Sequence, residues 1–302
     1  MTTFIPFEEG EKHLDWIALT DAFEAGHKLA KAEIADTFLY RDKDTLLNRS
    51  AWITGLGLAV KAASVFPGNP AKGVPMIHGA VNLFDDATGD LDAVLDFHLV
   101  TKWKTAGDSL LGARKLARPD SHSILILGAG TVGRNLHQAY SALFPDAQFS
   151  LWNRTAATGE KMADDLGISW APDLETAMGD ADIITSATMS TEPFIRGDWL
   201  QPGTHLDMIG AYRPDMREAD DVALQRARVF VDSFDTTIDH IGELKIPLAS
   251  GAITRADVLA DFYSMEAMTR QSDEEITLFK NGGGAHLDLM TSRYILDSWN
   301  AK

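Results

Sequence analysis

The sequence predicts an α/β protein of two parts: a small mixed α+β domain, then a doubly wound, mostly parallel sheet domain. Three observations predict it. From residue 123 onward, short apolar runs alternate with helical stretches, the pattern of a parallel sheet with crossover helices. Before residue 118, strand-length segments follow one another with turn clusters between them, as antiparallel strands do. Between the two lies Arg118-Pro119-Asp120, a natural linker. At 302 residues the chain is long enough for two domains.

Taken in order, residues 12–36 read as helical, with Thr20 as N-cap, Asp21 and Glu24 in the first turn, and Ile17, Phe23, Ala30 and Ile34 near one face. Strands are expected at Thr37–Tyr40, Leu56–Phe66, Gly79–Phe84 and Asp92–Asp96. Phe66-Pro67-Gly68-Asn69-Pro70 and the turn at 85–90 separate them. Helical spacing returns over 100–117, through Val100, Trp103, Leu110 and Ala113. The second part offers strands Ile124–Leu127, Gln148–Trp152, Asp182–Ala187, His205–Ile209 and Val229–Val231, with helices at 131–143, 156–166 and 216–227. Thr254 is positioned to cap a helix from Arg255 to Met268, and Ile276–Phe279 reads as a further strand. Gly282-Gly283-Gly284 forms a hinge before a closing helix at about 285–300, expected to cross back onto the first domain. The predicted domains are thus 1–118, completed by 284–302, and 119–283.

The most specific motif is the run Ser123-Ile124-Leu125-Ile126-Leu127 feeding straight into Gly128-Ala129-Gly130-Thr131-Val132-Gly133. This is the dinucleotide fingerprint of a Rossmann domain. The first glycine allows the tight turn, the second admits a pyrophosphate against the backbone, and the third lets helix and strand pack closely. The helix that begins there aims its N–H groups at the phosphates. The next strand ends in Asn153-Arg154-Thr155, where a carboxylate would hold the ribose 2′-hydroxyl of NAD(H). A cation flanked by hydrogen-bonding side chains suits a 2′-phosphate, so NADP(H) is expected over NAD(H). The net charge of −17 speaks against nucleic acid or an anionic membrane as partner. With no cysteine there is no thiolate nucleophile, disulfide or zinc–thiolate site, which suits a cytoplasmic protein. No His/Asp/Glu cluster has metal spacing, and no metal is expected. The N-terminus lacks the features of a signal peptide, and no apolar run is long enough to span a membrane.

Several segments, in order, carry a family resemblance: Val60-Lys61-Ala62-Ala63-Ser64-Val65-Phe66-Pro67-Gly68-Asn69-Pro70, Thr101-Lys102-Trp103-Lys104-Thr105-Ala106, Leu127-Gly128-Ala129-Gly130, Thr185-Ser186-Ala187-Thr188, Gly203–Gly210, Val231-Asp232-Ser233 and Glu275–Lys280. With them the chain resembles the ornithine cyclodeaminase/mu-crystallin family over roughly residues 50 to 290. The resemblance implies a homodimer whose N-terminal domain forms the dimer interface and the substrate site. It implies chemistry in which hydride passes between a nicotinamide and the carbon next to a carboxylate. Members include the cyclising deaminase, ketimine and pyrroline-2-carboxylate reductases, and amino-acid dehydrogenases.

An imino acid brings a carboxylate, which needs cations. Lys61 matches the family's strand lysine and sits between Val60 and Ala62, an apolar setting that disfavours an idle charge. Lys104 stands where the family has its carboxylate-binding arginine; the charge is kept and the planar fork lost. A third cation belongs to the hairpin before Ala51, where Arg41 and Arg49 are both candidates and Arg49 is preferred. By the same match Thr105 lies near the cofactor phosphates, and Ala187, Thr188 and Ile209 border the cofactor. Tyr212 falls where the cyclodeaminase has an aspartate, which shifts the expectation from ornithine cyclisation to imine reduction. His78 is a candidate proton donor; His98 and His205 read as structural. The expected reaction is NAD(P)H-dependent reduction of a cyclic imino acid, Δ1-pyrroline-2-carboxylate or a related ketimine, to the L-amino acid. The rivals are an ornithine cyclodeaminase, an alanine-type dehydrogenase and a non-catalytic NADP(H)-binding protein.

Overall fold

The computed structural model describes residues 2–301. The chain divides into two compact units, Met1–Thr105 with Gly284–Lys302, and Ala106–Gly283.

Alternating burial marks the middle strands of the first unit. Strands β1 (Thr3–Ile5), β2 (Glu33–Arg41), β3 (Asp44–Ile53), β4 (Gly57–Val65), β5 (Ile77–Phe84) and β6 (Leu91–Asp96) form one sheet in the order β1-β6-β5-β4-β3-β2. Only β1 runs parallel to its neighbour. Ala51, Ile53, Ala59, Lys61, Ala63, Val81 and Leu83 share one buried face. The C-terminal helix Ala285–Asn300 packs against β3, β4 and α2 (Trp16–His27). The opposite face stays exposed, with Phe4, Leu39, Leu46 and Trp52 on it.

Residues 12–36 are therefore not one helix. A short helix, α1, covers Phe7–Glu11, and α2 is capped by Asp15, whose side chain accepts from the Ala18 amide at 2.8 Å. Thr20 sits mid-helix and donates to the Ile17 carbonyl instead of capping. Ile34, Thr37, Phe38 and Tyr40 are β-formers, and nine-residue pairing with β3 draws 33–41 into a hairpin. Helix α3 (Phe97–Leu116) leaves this unit at Thr105, so the divide falls at 105/106, not at the 118/119 linker. The reason lies in packing: Ser109 bonds Asp207 of the second unit, and Gly112 lies against the Phe279 ring.

The second unit is an eight-stranded parallel sheet: β7 (Ser123–Leu127), β8 (Gln148–Trp152), β9 (Ser169–Trp170), β10 (Ile183–Ser186), β11 (His205–Met208), β12 (Ala227–Val231), β13 (Val258–Ala260) and β14 (Ile276–Lys280). Their order is β13-β12-β14-β11-β10-β7-β8-β9. Residues Ile124–Leu127, Ile183–Ser186 and His205–Met208 are buried without interruption, as central parallel strands covered on both faces must be. Helices α4 (Thr131–Leu143), α5 (Ala156–Leu166), α6 (Leu174–Gly179), α7 (Asp221–Arg226), α8 (Phe234–Thr237) and α9 (Gly242–Ser250) connect them. The expected helix over 216–227 shrinks to α7. That over 255–268 is replaced: Thr254 and Asp257 form a capping box around a single 3₁₀ turn, after which β13 joins the sheet edge. The chain runs outward from β7 to β8 and β9, then returns to β10 on the other side. Strand order reverses at β7/β10, the place where such sheets bind ligands.

Candidate active site

Four loops leave the carboxyl ends of adjacent strands in the second unit. After β7, Gly128 adopts φ +112°, a left-handed conformation closed to most side chains. A Cβ on Gly133 would lie 2.3 Å from the Gly128 carbonyl oxygen, so only glycine permits the tight return into α4. Gly130 is the N-cap of α4, makes no side-chain cap, and has nothing within 4 Å of where a Cβ would stand. Open space at Gly130 and uncapped amides from Thr131 and Val132 fit a pyrophosphate. After β8, the Asn153 side chain is turned inward: its oxygen accepts from Ala129 N at 3.1 Å and its nitrogen donates to Thr155 O at 2.9 Å. Asn153 thus braces the glycine loop, leaving Arg154 and Thr155 exposed at the strand tip. After β10 and β11 come Ala187, Thr188 and Ile209, the last donating its amide to Ser186 O.

A buried carboxylate that the sequence reading missed holds these loops. Glu218 accepts from Ser186 Oγ at 2.6 Å, Thr188 N at 2.9 Å, Thr188 Oγ1, and Gly210 N at 2.9 Å. Glu243 in turn accepts from the Glu218 and Ala219 amides. Lys280 Nζ, fully buried, donates to Met208 O and Asn281 O, with Glu243, Glu218, Asp232 and Asp207 as its electrostatic partners. Burial pushes the Glu243 carboxyl up to about 7, reinforced by Glu218; burial likewise raises Asp207 to about 6 against bonds from Thr185, Ser109 and Tyr140. Acidic residues separated by 25 positions carry no spacing signal. Only Lys280, a charge directly after the run Ile276–Phe279, hinted at a buried partner set.

The first unit gathers the cations. Lys61 on β4 stands directly opposite Arg49 on β3, on the buried face. Lys104, buried on α3, and Arg49 both exert a charge effect on Lys61. Lys61 Nζ donates to Asp288 Oδ1 of the C-terminal helix at 2.9 Å, with both side chains under a tenth exposed, and lies 4.7 Å from the Phe97 ring centre. Burial pulls the Lys61 ammonium down to about 8, opposed by Asp288 and aided by Lys104 and Arg49. Burial alone would raise the Asp288 carboxyl; Lys61, Lys104 and Arg49 hold it below its ordinary range. Arg49 Nε also bonds Asp36 Oδ2 at 3.0 Å. Arg41 sits at the far end of β2, exposed and paired with Asp44.

The remaining predicted residues occupy other elements. His78 pairs with Ser64, three positions from the Lys61–Val81 pair, so it projects from the opposite, exposed face of the sheet. Tyr212 belongs to the second unit, is 58% exposed, and stacks with Arg213, which is itself paired with Asp215. Thr105 is half-buried at the end of the first unit's part of α3. His205 is buried against Thr277 and burial lowers it to about 3, so it is neutral at working pH. Among the described residues no His/Cys/Asp/Glu group has the arrangement of a metal site, and no helix is long and apolar enough to cross a membrane. Asp288 was missed; its signal was a carboxylate between Leu287 and Leu289 in a helix expected to fold back on the first unit.

Known proteins resemble this chain in sequence and in fold. The profile of the ornithine cyclodeaminase/mu-crystallin family matches residues 51–302. The chain is 48% identical over 301 residues to a Δ1-pyrroline-2-carboxylate reductase from Paracoccus denitrificans, covering 97% of this chain and 95% of the relative. Thermococcus litoralis Δ1-pyrroline-2-carboxylate reductase, solved with NADH and L-proline, superposes with a TM-score of 0.89 at 25% identity, covering 99% of this chain and 98% of the other. An archaeal alanine dehydrogenase dimer with bound NAD superposes at 0.88 and 27% identity, covering 99% and 96%.

Proposed function

The chain belongs to the ornithine cyclodeaminase/mu-crystallin family, and from that premise we propose that it reduces a cyclic imino acid, Δ1-pyrroline-2-carboxylate or a related ketimine, to the L-amino acid. It is an oxidoreductase acting on a C=N bond with a nicotinamide cofactor. The observation that carries the substrate class is the Lys61–Arg49 pair. Lys61 and Arg49 stand opposite one another with Lys104 close by, three cations answered by only two carboxylates, Asp288 and Asp36. A substrate carboxylate supplies the third negative charge. When bound, the reduced nicotinamide supplies the hydride.

The residues present do the rest. Lys61, Lys104 and Arg49 hold the carboxylate and so fix the adjacent C=N carbon, a positioning effect. The ring nitrogen takes a proton from solvent to form the iminium, and its carbon then gains the hydride, which balances imine to secondary amine and gives L-proline from the five-membered ring. The iminium is electrophilic, so no nucleophilic side chain is needed. Tyr212, in place of the cyclodeaminase aspartate, weighs against ornithine as substrate.

Exposed Arg154 and the absence of a carboxylate at the β8 tip support NADP(H) over NAD(H). The uncovered apolar face of the first unit's sheet, with edge strand β2 exposed throughout, supports a homodimer. The absence of cysteine suits the cytoplasm. The deciding experiment follows the consumption of NADPH, and separately NADH, on addition of Δ1-pyrroline-2-carboxylate, beside L-ornithine with NAD assayed for ammonia. Rapid NADPH consumption without ammonia from ornithine is the expected result. Ammonia from ornithine would replace the reductase with a cyclodeaminase.

A further inference from the structure

Three cations and two carboxylates make up the substrate-binding cluster, and the carboxylates differ in kind. Asp36 answers Arg49 at the rim, where both side chains are about a quarter exposed. Asp288 is buried to 2% and lies in the first turn of the C-terminal helix, where the helix N-terminus favours a negative charge. It makes one hydrogen bond, from Oδ1 to Lys61 Nζ. Its second oxygen, Oδ2, is buried with no hydrogen-bond partner among the described residues.

A salt bridge serving only the fold would satisfy both carboxylate oxygens, because a buried oxygen without a donor is costly. Lys61 is bound just as sparingly. An ammonium has three N–H groups; one goes to Asp288, and its other close neighbour is the Phe97 ring. The remaining N–H groups are available to a carboxylate arriving at the cluster.

Resting on the reductase reading above, we infer that Asp288 is a positioning residue: its carboxylate anchors the Lys61 ammonium by a single bond and offsets the repulsion of Arg49 and Lys104 until the substrate carboxylate takes over. Every charged group facing Lys61 bears on this. Asp288 favours its charged form, while Arg49 across the sheet and Lys104 on α3 disfavour it. His286 and His27, ring centres 5.4 Å apart on the C-terminal helix and α2, lie in the same electrostatic neighbourhood. Burial keeps both rings below the ordinary histidine range, His27 at about 4, so near neutral pH they add no charge. Lys61 is left at about 8, within reach of working pH, and Asp288 is the group that keeps it protonated there.

The test compares Asp288→Asn and Asp288→Glu with the unaltered enzyme. Asp288→Asn raises KM for the imino acid by roughly tenfold or more and changes kcat less. It also moves the alkaline limb of kcat/KM down by about one pH unit or more. Asp288→Glu restores the limb and part of KM. In a Lys61→Met background, Asp288→Asn adds little, because its partner is already gone; a structural role would add its full effect in both backgrounds. If the Asn variant does not fold, the Glu variant alone decides, since a displaced carboxylate must raise KM.

A second readout needs no turnover: pH-dependent acetylation of Lys61 by acetic anhydride, mapped by peptide mass. The midpoint is expected near 8 in the unaltered protein and lower in Asp288→Asn. A folded Asp288→Asn with KM, alkaline limb and acetylation midpoint all unmoved would overturn the role. Failure of the unaltered protein to reduce any imino acid would overturn the reductase reading instead, and leave the acetylation result to judge Asp288 on its own.

Discussion

Lys61 and Arg49 are paired on one sheet face, and like charges directly opposite are destabilising. A protein keeps such a pair when something else needs it. Replacing Lys61 with Met, which keeps the stem and removes the charge, is expected to lower kcat/KM for the imino acid by about 10²–10³-fold, the scale of losing one partner of a buried charge contact. Stability should fall, because the buried Asp288 carboxylate loses the ammonium that answers it; steady-state kinetics beside a thermal melt measures both. Arg154 poses the opposite case, an exposed cation at the β8 tip. Arg154→Ala should raise KM for NADPH roughly tenfold, the worth of one charge-assisted bond, and leave KM for NADH within about twofold. Equal changes for both cofactors would remove the 2′-phosphate role. Lys61 was legible in the sequence because a lysine among alternating small apolar residues is anomalous in itself. Asp288 was not, because its partner lies 227 positions away and only the fold unites them. The face that His78 occupies was not legible, because parity along β5, invisible without the register, sets it on the side away from Lys61.

At the level of elements, β7, the glycine turn and α4 were legible because strand, turn and helix are each specified by adjacent residues. The span 33–41 was not. Its exposed, pairing-dependent strand owes its state to β3, and α2 ends before it. The stretch 255–268 likewise carries a sound cap at Thr254 that serves one turn, because tertiary pairing of β13 with β12 prevails over helical spacing. The loops after β10 and β11 are held by Glu218 through four donors, so Glu218→Gln, which trades an acceptor for a donor, should loosen both. A weaker cofactor affinity and a Tm lower by roughly 2–10 °C are expected, from one or two unmet buried bonds. The neighbouring Glu243 sets a pH dependence. Its folded value of about 7 exceeds the ordinary carboxyl value of 4.5, so the folded state binds the proton more tightly. That stabilisation is complete below pH 4.5 and lost as pH rises through 7. Melting curves from pH 6 to 8 should therefore show Tm falling with pH, and Glu243→Gln should flatten the slope; a slope unchanged in that variant would assign it to Asp207 and the rest of the network.

For the molecule as a whole, a chain of net charge −17 keeps one large, mostly apolar surface, with the Arg41–Asp44 ion pair at one end of it. Phe4, Leu39, Leu46 and Trp52 share the uncovered face of the first unit's sheet, and Leu39 and Leu46 are directly paired. Exposed apolar strands at a sheet edge invite pairing with another chain, and natural proteins usually blunt them with charge or proline. Here β2 carries Leu39 at 65% and Tyr40 at 73% exposure near its end. A second copy of the same face is the simplest cover, since a two-fold axis makes one apolar patch meet its own image. Light scattering should give twice the 33.0 kDa chain mass for the unaltered protein. Leu39→Glu, at an exposed site remote in register from Lys61, places two like charges near the axis and should shift the mass toward the single chain at micromolar concentration. A mass equal to one chain for the unaltered protein would leave the face uncovered in solution and remove the homodimer. A mass of two chains unmoved by Leu39→Glu would move the interface to another surface.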